Sequence, residues 1–197
     1  MAAEGRVIAG HFGFAAAIKA KERSTPLWAL MLACQWLDIV FVPLLAAGVE
    51  TMQPLDAAKP GAYGDAIIHA DYTHSLVGAI VLSIVLGAAL GAKYGRRSGI
   101  VIGAVAMSHW VLDLVMHRGD MPVLPGGAGV LGFGLWRSQA ASAIVELALV
   151  VIGAWLYGRA AREVAGTDVA LQRRAKLCGA VALASGAGVL ALNLAGM

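Results

Sequence analysis

Long apolar segments separated by short polar stretches dominate this chain. Five of them reach or approach the roughly 20 residues that a helix needs to cross a bilayer. They cover residues 27–47, 67–90, 99–116, 140–157 and 177–194. Each run is too long for a sheet strand, and a helix satisfies its own backbone N–H and C=O groups within lipid. The pattern predicts an all-α integral membrane protein with about five transmembrane helices, forming a single polytopic domain over residues 1–197.

A sixth, shorter apolar stretch runs from Arg6 to Ala20. It is too short to span a bilayer comfortably. Its charges do not follow the order of a secretory signal peptide, because Glu4 precedes Arg6 and further charged residues follow the run. We predict a short re-entrant or interfacial helix that is retained in the mature protein.

Composition agrees with a membrane protein. Hydrophobic residues make up 59% of the chain and charged residues 14%, against roughly 45–50% and about 25% in soluble domains. These values exclude a disordered chain, a coiled coil and a disulfide scaffold. The net charge is +3. In a membrane protein an excess of Lys and Arg orients the chain in the bilayer, so no nucleic-acid partner is expected.

The Lys and Arg residues alternate between the regions outside the spans. From the N-terminal region to the C-terminal tail, these regions hold 4, 1, 3, 2, 5 and 0 of them. Cytoplasmic loops carry the excess of positive charge, so the twelve residues in alternate regions mark the inside. This predicts a multi-pass protein whose N-terminus is cytoplasmic and whose C-terminus faces outward.

Three smaller patterns concern packing and the surface. The spacing of Gly87, Gly91 and Gly95 indicates close helix packing or a helix end. The five tryptophans lie mostly near span ends, where anchoring at the membrane interface explains them. The loop 117–139 is rich in glycine and proline, which predicts a rigid, turn-rich cap on the outer face.

Ionisable side chains inside the predicted spans are few, and each costs about 2.5–3.5 kcal/mol at the centre of a bilayer. A functional role is therefore the default interpretation. In the predicted orientation they come from four spans yet lie at one depth, in the outer half of the membrane: Asp38, Asp71, His74, His109, Asp113, His117 and Glu146. This convergence predicts a single site.

The third span supplies a pair with ligand spacing. His109 and Asp113 are four residues apart, so they project from one helix face about 6 Å apart and can bind one ion. His117 lies about 12 Å from His109 along the helix; it is expected to orient a ligand, hold a second metal or meet substrate. Such a set suits Zn²⁺, Mn²⁺ or Fe²⁺. A polar network joining helices and a proton or ion path remain open.

Glu146 is the acid of the fourth span. It could be a metal ligand, the base that takes a proton from the attacking water, or a partner of Arg137 or Arg118. We assign it to catalysis, together with His117.

Several short motifs occur in a specific order between residues 10 and 157. They read GHFGFA, CQWLDIVFVP, YTHSL, SHWVLDLVMHRGDMPVLPG and LGFGLWRS. Together they resemble the bacterial inner-membrane metal-dependent hydrolases, some of which are LexA-regulated and which have a suggested distant similarity to zinc phospholipases. The resemblance implies a hydrolase of the bacterial inner (plasma) membrane. It implies metal ligands at the matching positions His11, Asp38, His74, His109 and Asp113.

Two departures from the family pattern lower the expected number of metal ions. Many relatives have Pro-Asp-x-Asp where this chain reads LDIV at 37–40, so one carboxylate is missing. The His-Arg that usually precedes the Thr-His is replaced by ADY at 70–72. One divalent transition metal, with zinc as first choice, is therefore expected.

His11 conflicts with the predicted orientation. The charge count keeps the N-terminus inside, whereas the other candidate ligands lie in the outer half of the membrane. Either the N-terminal segment enters the bilayer deeply, or His11 is not a ligand.

Two classes of function follow from these residues. The first is a membrane-embedded metal-dependent hydrolase in which His117 and Arg118 meet an anionic head group. Membrane lipid is then the expected partner, and lipid phosphoesters are the first substrate class. The alternative is a non-enzymatic protein, either an accessory subunit of a larger membrane complex or a metal- or proton-handling transporter. The sequence also leaves a homo-oligomer open.

Overall fold

The computed structural model describes residues 8–54 and 66–195. In these ranges the chain forms seven α-helices and four short strands, in the order α1 Ile8–Lys21, α2 Leu27–Ala33, α3 Trp36–Ala46, β1 Thr51–Pro54, β2 Ala66–His69, α4 Leu76–Tyr94, α5 Arg96–Met116, β3 Met121–Leu124, β4 Ala128–Leu131, α6 Gln139–Ala165 and α7 Val169–Leu194. The mostly helical fold agrees with the prediction, but the strands correct the expectation of an all-α protein. Arg6 and Lys59, which enter the charge count, lie outside the described residues.

Helices α4 to α7 are each long and apolar enough to cross a membrane, with mean hydropathies between 1.8 and 2.1. The first predicted span, 27–47, is divided into α2 and α3, which are bent by 48° at their junction. Counting this bent pair as one span gives five in the described residues. Large apolar side chains such as Ile84, Ile144 and Leu177 are strongly exposed on the helices. These features are consistent with a multi-pass membrane protein.

The second predicted span, 67–90, becomes helical only at Leu76. Its first residues form β2, which pairs antiparallel with β1. The side chain of Ser75 then caps α4 by accepting a hydrogen bond from the backbone N–H of Gly78. A short apolar run suits a strand as well as a helix, so hydropathy alone placed this boundary too early.

The predicted turn-rich cap between α5 and α6 is an ordered hairpin. Strands β3 and β4 pair antiparallel, with Met121 opposite Leu131, and a short 3-10 helix follows over Leu135–Arg137. Gly126 and Gly127 turn the hairpin with φ angles of 86° and 84°, a region that glycine enters without steric cost.

Helices α4 and α5 pack closely through glycines. A Cβ added to Gly87 would lie 2.7 Å from the carbonyl oxygen of Gly99, and one added to Gly91 would lie 3.0 Å from the Cα of Gly99. Gly95 ends α4 with a φ of 89°. The glycine spacing therefore serves both of the predicted purposes, close packing and a helix end.

Helix α1 runs parallel to α6. The backbone N–H of Gly10 lies 3.1 Å from Glu146, near the start of α6. Arg23, just after α1, forms a 3.5 Å ion pair with Glu163, near the end of α6. The first turn of α1 therefore lies at the end of the bundle where α6 begins.

Small residues and an apolar core hold α1 in place. A Cβ on Gly153 of α6 would lie 2.0 Å from the carbonyl oxygen of Gly13, so the two backbones are in direct contact. On another face, Ala15 of α1 is buried in one cluster with Leu30 of α2 and Ile102 of α5. Helix α1 is thus packed between the bent α2–α3 pair, α5 and α6.

Candidate metal centre

The predicted metal ligands come from four parts of the chain and meet in the structure. His109 and Asp113 lie on α5, Asp38 in the first turn of α3, His74 just before α4, and His11 on α1. They form two overlapping groups whose ligand atoms lie within 4.8 Å of one another, His11–His109–Asp113 and Asp38–His74–His109. All are buried except Asp38, which is partly exposed. These groups could hold a metal ion.

Five distances among four of the donor atoms are close to the separation of two ligands on one metal ion. Nε2 of His74 lies 3.4 Å from Nε2 of His109, and these nitrogens lie 3.5 and 3.7 Å from Oδ1 of Asp38. Oδ2 of Asp113 lies 3.1 Å from the His109 nitrogen and 3.6 Å from the His74 nitrogen. Ligand atoms at 2.0–2.2 Å from a tetrahedral zinc are about 3.3–3.6 Å apart. The observed spacing therefore fits one such ion.

The break between α2 and α3 orients His109. Helix α2 ends at Ala33, and the carbonyl oxygen of Cys34 lies 2.7 Å from Nδ1 of His109. A carbonyl only accepts hydrogen bonds, so Nδ1 carries the hydrogen and, in the neutral imidazole, the Nε2 lone pair faces the cluster. The same break places Asp38 in the first turn of α3, where the helix dipole favours a negative charge.

A chain of hydrogen bonds orients His74. Oγ1 of Thr73 lies 2.9 Å from Nδ1 of His74 and 2.9 Å from Oε2 of the buried Glu50. A carboxylate only accepts, so Thr73 donates to Glu50 and accepts from His74; in the neutral imidazole the lone pair is then on Nε2. Glu50 also accepts from the backbone N–H of Tyr72. Trp110 donates to the carbonyl oxygen of His74 at 2.8 Å and so fixes its backbone.

These tautomers make the centre of the cluster a set of acceptors. Two imidazole nitrogens and two carboxylate oxygens face one another at 3.1–3.7 Å. Electron-rich atoms this close repel unless a proton or a cation lies between them. Protons on the imidazoles can bridge individual His–Asp pairs, whereas one divalent cation can interact with all four atoms. The donor set therefore fits a metal ion.

His11 reaches the cluster because α1 runs parallel to α6. Its ring stacks on that of His109, with centroids 3.9 Å apart and planes inclined by 5°. Its Nε2 lies 3.1 Å from Oδ1 of Asp113, the oxygen that faces away from the other two histidines. Of the two alternatives for His11, this placement favours the first, in which the N-terminal segment enters the bilayer deeply, because His11 lies at the level of the cluster. A contact of this kind orients a ligating carboxylate.

A cavity of about 30 Å³ adjoins the cluster. That volume accommodates a water molecule or two. Its wall is made of His11, Asp38, Phe41, Met52, Ile68, His74, His109, Asp113, His117 and Trp136. The apolar members on one side lower the local dielectric, which strengthens electrostatic interactions at the cluster.

His117 lies on the cavity wall outside both ligand groups, in agreement with its offset along α5. Its Nδ1 lies 3.0 Å from Oδ1 of Asp120, so Nδ1 donates to the carboxylate. In the neutral imidazole, Nε2 then carries the lone pair. Burial raises the pKa of Asp120, but the hydrogen bond with His117 is among the causes that outweigh burial and lower this pKa below its ordinary value. Arg118 donates from Nη2 to the carbonyl oxygen of Trp136 at 3.2 Å.

Glu146 is fully buried but is not part of the cavity wall. Its Oε2 accepts a hydrogen bond from the backbone N–H of Gly10 at 3.1 Å, in the first turn of α1. This carboxylate satisfies a backbone N–H near the start of the described part of α1 and ties that helix to α6. This contact supports a role in positioning α1, and the proton transfer assigned to Glu146 from the sequence stays a prediction.

Four contributors to the centre are absent from the sequence prediction: the Cys34 carbonyl, Glu50, Asp120 and Trp136. The Cys34 carbonyl is available because the helix breaks there, and an uninterrupted apolar run in the sequence does not indicate such a break. The two acids lie in polar loops, where a solvated role is the ordinary interpretation. Trp136 is buried, as is Trp110, so interface anchoring does not explain either of them. Trp28 and Trp155 are exposed, as anchoring requires.

Comparison with known proteins adds no family to this description. No family model, no curated protein and no solved structure matches the chain. The cluster and its surroundings therefore carry the functional argument.

Proposed function

We propose that this protein is a membrane-embedded metal-dependent hydrolase that acts on lipid phosphoesters, in line with the family resemblance of its motifs. The observation that carries the proposal is the set formed by Asp38, His74, His109 and Asp113, in which Nε2 of each histidine lies 3.1–3.7 Å from an oxygen of both carboxylates. Two imidazoles and two carboxylates suit zinc first among the divalent transition metals. His11 supports the set through Asp113.

When bound, a divalent cation lowers the pKa of a water and polarises a phosphoryl oxygen. The side chains of the chain supply the rest of the chemistry. His117 holds a hydrogen at Nδ1 against Asp120. Its Nε2 can therefore take a proton from the attacking water or return one to the leaving group. The imidazole on the cavity wall is the group we assign to proton transfer.

The surface at this end of the molecule supports a lipid substrate. Val130, Leu131 and Phe133, in and just after β4, are exposed apolar residues, and the same hairpin segment leads into Trp136 on the cavity wall. A membrane–water boundary is the environment in which such side chains are stable. Arg118 remains our choice for the anionic head group.

We place the protein in a bacterial inner membrane with the cluster toward the outer face. The turn between α6 and α7 lies at the opposite end of the bundle from the start of α6 and is flanked by five Lys and Arg residues, which favours the cytoplasmic side. An alkaline phosphatase fused after the C-terminus should be active, and one fused after Gly166 inactive. The reverse pattern would place the cluster on the cytoplasmic side.

Metal content and hydrolysis together test the function. The purified protein should bind one transition metal ion per chain and hydrolyse phospholipid in mixed micelles. His109→Ala and Asp113→Ala should each lose most of the bound metal. His117→Ala should keep the metal and lower turnover by about 10²–10⁴-fold. A folded protein that binds no metal, or a loaded one that hydrolyses no phosphoester, would refute the proposal and favour the non-enzymatic alternatives.

A further inference from the structure

Unpartnered polar atoms concentrate at one cavity. In the described part of the chain, four buried side-chain polar atoms have no hydrogen-bond partner: His11 Nδ1, Thr25 Oγ1, Ser83 Oγ and Trp136 Nε1. Two of them, on His11 and Trp136, belong to the wall of the cavity beside the cluster. A buried polar atom without a partner costs about 1–3 kcal/mol. Two such atoms at one small cavity indicate a ligand that would satisfy them.

The indole of Trp136 is the more specific of the two. An indole N–H is a donor only, so its missing partner is an acceptor atom. The residue is 4% exposed, and its ring lies against that of His117 with centroids 4.2 Å apart. Trp136 therefore lies beside the imidazole that we assign to proton transfer, on the wall of the cavity that the metal ligands also line.

The chain around Trp136 is held rigidly over the end of α5. The backbone N–H of Gly134 donates to the carbonyl oxygen of His117 at 2.6 Å, and that of Phe133 donates to Leu114 at 2.8 Å. A Cβ on Gly132 would lie 2.5 Å from the carbonyl oxygen of His117, so only glycine permits this approach. Through these contacts, the LGFGLWRS segment holds the indole of Trp136 in the cavity wall.

Charge near the indole favours an anion. The guanidinium of Arg118 donates to the carbonyl oxygen of Trp136 at 3.2 Å, which places a permanent cation beside the residue that carries the orphaned N–H. A neutral acyl carbonyl gains little from a nearby cation, whereas a phosphoryl oxygen carries charge that the cation stabilises.

We propose that Trp136 is a substrate-binding residue whose Nε1 donates a hydrogen bond to a non-bridging phosphoryl oxygen of the substrate. This inference rests on the proposed function and names the group that recognises the phosphoryl class. The 3-10 helix after the β3–β4 hairpin then contributes to substrate specificity. A substrate without an acceptor at that position leaves the indole N–H unsatisfied and binds less well.

Inorganic phosphate is the probe, titrated by calorimetry into the zinc-loaded protein in detergent. Trp136→Phe removes the N–H and keeps an aromatic ring, and it should raise the Kd for phosphate about tenfold while zinc content is unchanged. Trp28→Phe, at an exposed tryptophan outside the cavity wall, should leave the Kd unchanged.

Several results would overturn the inference. An unchanged phosphate Kd in Trp136→Phe would mean that the N–H meets water. No phosphate binding by zinc-loaded wild type would refute the phosphoryl assignment while leaving a metal-dependent hydrolase intact. Failure of wild type to bind zinc would instead refute the proposed function on which the inference rests.

Discussion

Removing the hydroxyl of Thr73 tests whether the hydrogen bonds behind His74 determine metal affinity. In the structure this hydroxyl accepts from Nδ1 of His74 and donates to Glu50, each at 2.9 Å. Valine has nearly the same shape as threonine but cannot accept. In Thr73→Val, the Nδ1 hydrogen loses its acceptor, or the ring adopts the other tautomer and places a hydrogen on the nitrogen that faces the cluster.

The magnitude follows from either outcome. A buried N–H without a partner costs about 1–3 kcal/mol, and loss of a group that orients a metal-bound histidine typically costs 10–100-fold in affinity. These figures agree, because tenfold in Kd corresponds to about 1.4 kcal/mol. Glu50 keeps the backbone N–H groups of Tyr72 and Thr73, so the loop should stay folded. We therefore expect the zinc Kd of Thr73→Val to rise 10–100-fold.

The assay is competition with a chromophoric zinc chelator at pH 7, on protein whose fold is checked by thermal melting. Thr25→Val is the matched control, because Thr25 is fully buried and its hydroxyl has no hydrogen-bond partner. Thr73→Ser restores the hydroxyl and should restore the affinity. An unchanged Kd in Thr73→Val, or an equal loss in Thr25→Val, would refute the reasoning.

Three further predictions concern the support of the site. Glu146→Gln keeps an acceptor for the first turn of α1 and should retain metal and activity. Glu146→Ala should lower both metal content and activity. If the Gln variant keeps its metal but loses hydrolysis, Glu146 is the group that transfers the proton. Gly153→Ala places a Cβ against α1 and should lower thermal stability by about 1–3 kcal/mol. Gly188→Ala lies in open space on α7 and should leave the thermal stability unchanged. Equal melting temperatures of the two variants would count against the close α1–α6 packing. The pKa of Glu22 is lowered from 4.5, first by its hydrogen bond with Ser24 and also by Arg97. A carboxyl group whose pKa is lowered on folding stabilises the protein at pH values above its ordinary pKa. This stabilisation is lost as the pH falls through the lowered pKa of the folded state. Wild type should therefore melt above Glu22→Gln at pH 7, and the difference should disappear on acidification; a constant difference would contradict this assignment.

The sequence by itself determined the apolar helices and the identity of the clustered residues. Hydropathy is a local sum over about 20 residues, so it locates segments such as α4 to α7 without knowledge of their neighbours. The spacing of His109 and Asp113 is likewise local, because helix geometry alone places residues i and i+4 on one face. The cost of burying ionisable groups in apolar segments singled out Asp38 and His74.

Only the tertiary structure decided how these residues are oriented and supported. The bend between α2 and α3 frees the Cys34 carbonyl for His109, but an apolar run reads the same whether it is straight or bent. The direction of α1, which brings His11 to Asp113, depends on the packing of Gly13 against α6 and not on local charge. Hydropathy sums transfer energies residue by residue, whereas these features are pairwise contacts between segments distant in the chain, and folding alone brings such segments together.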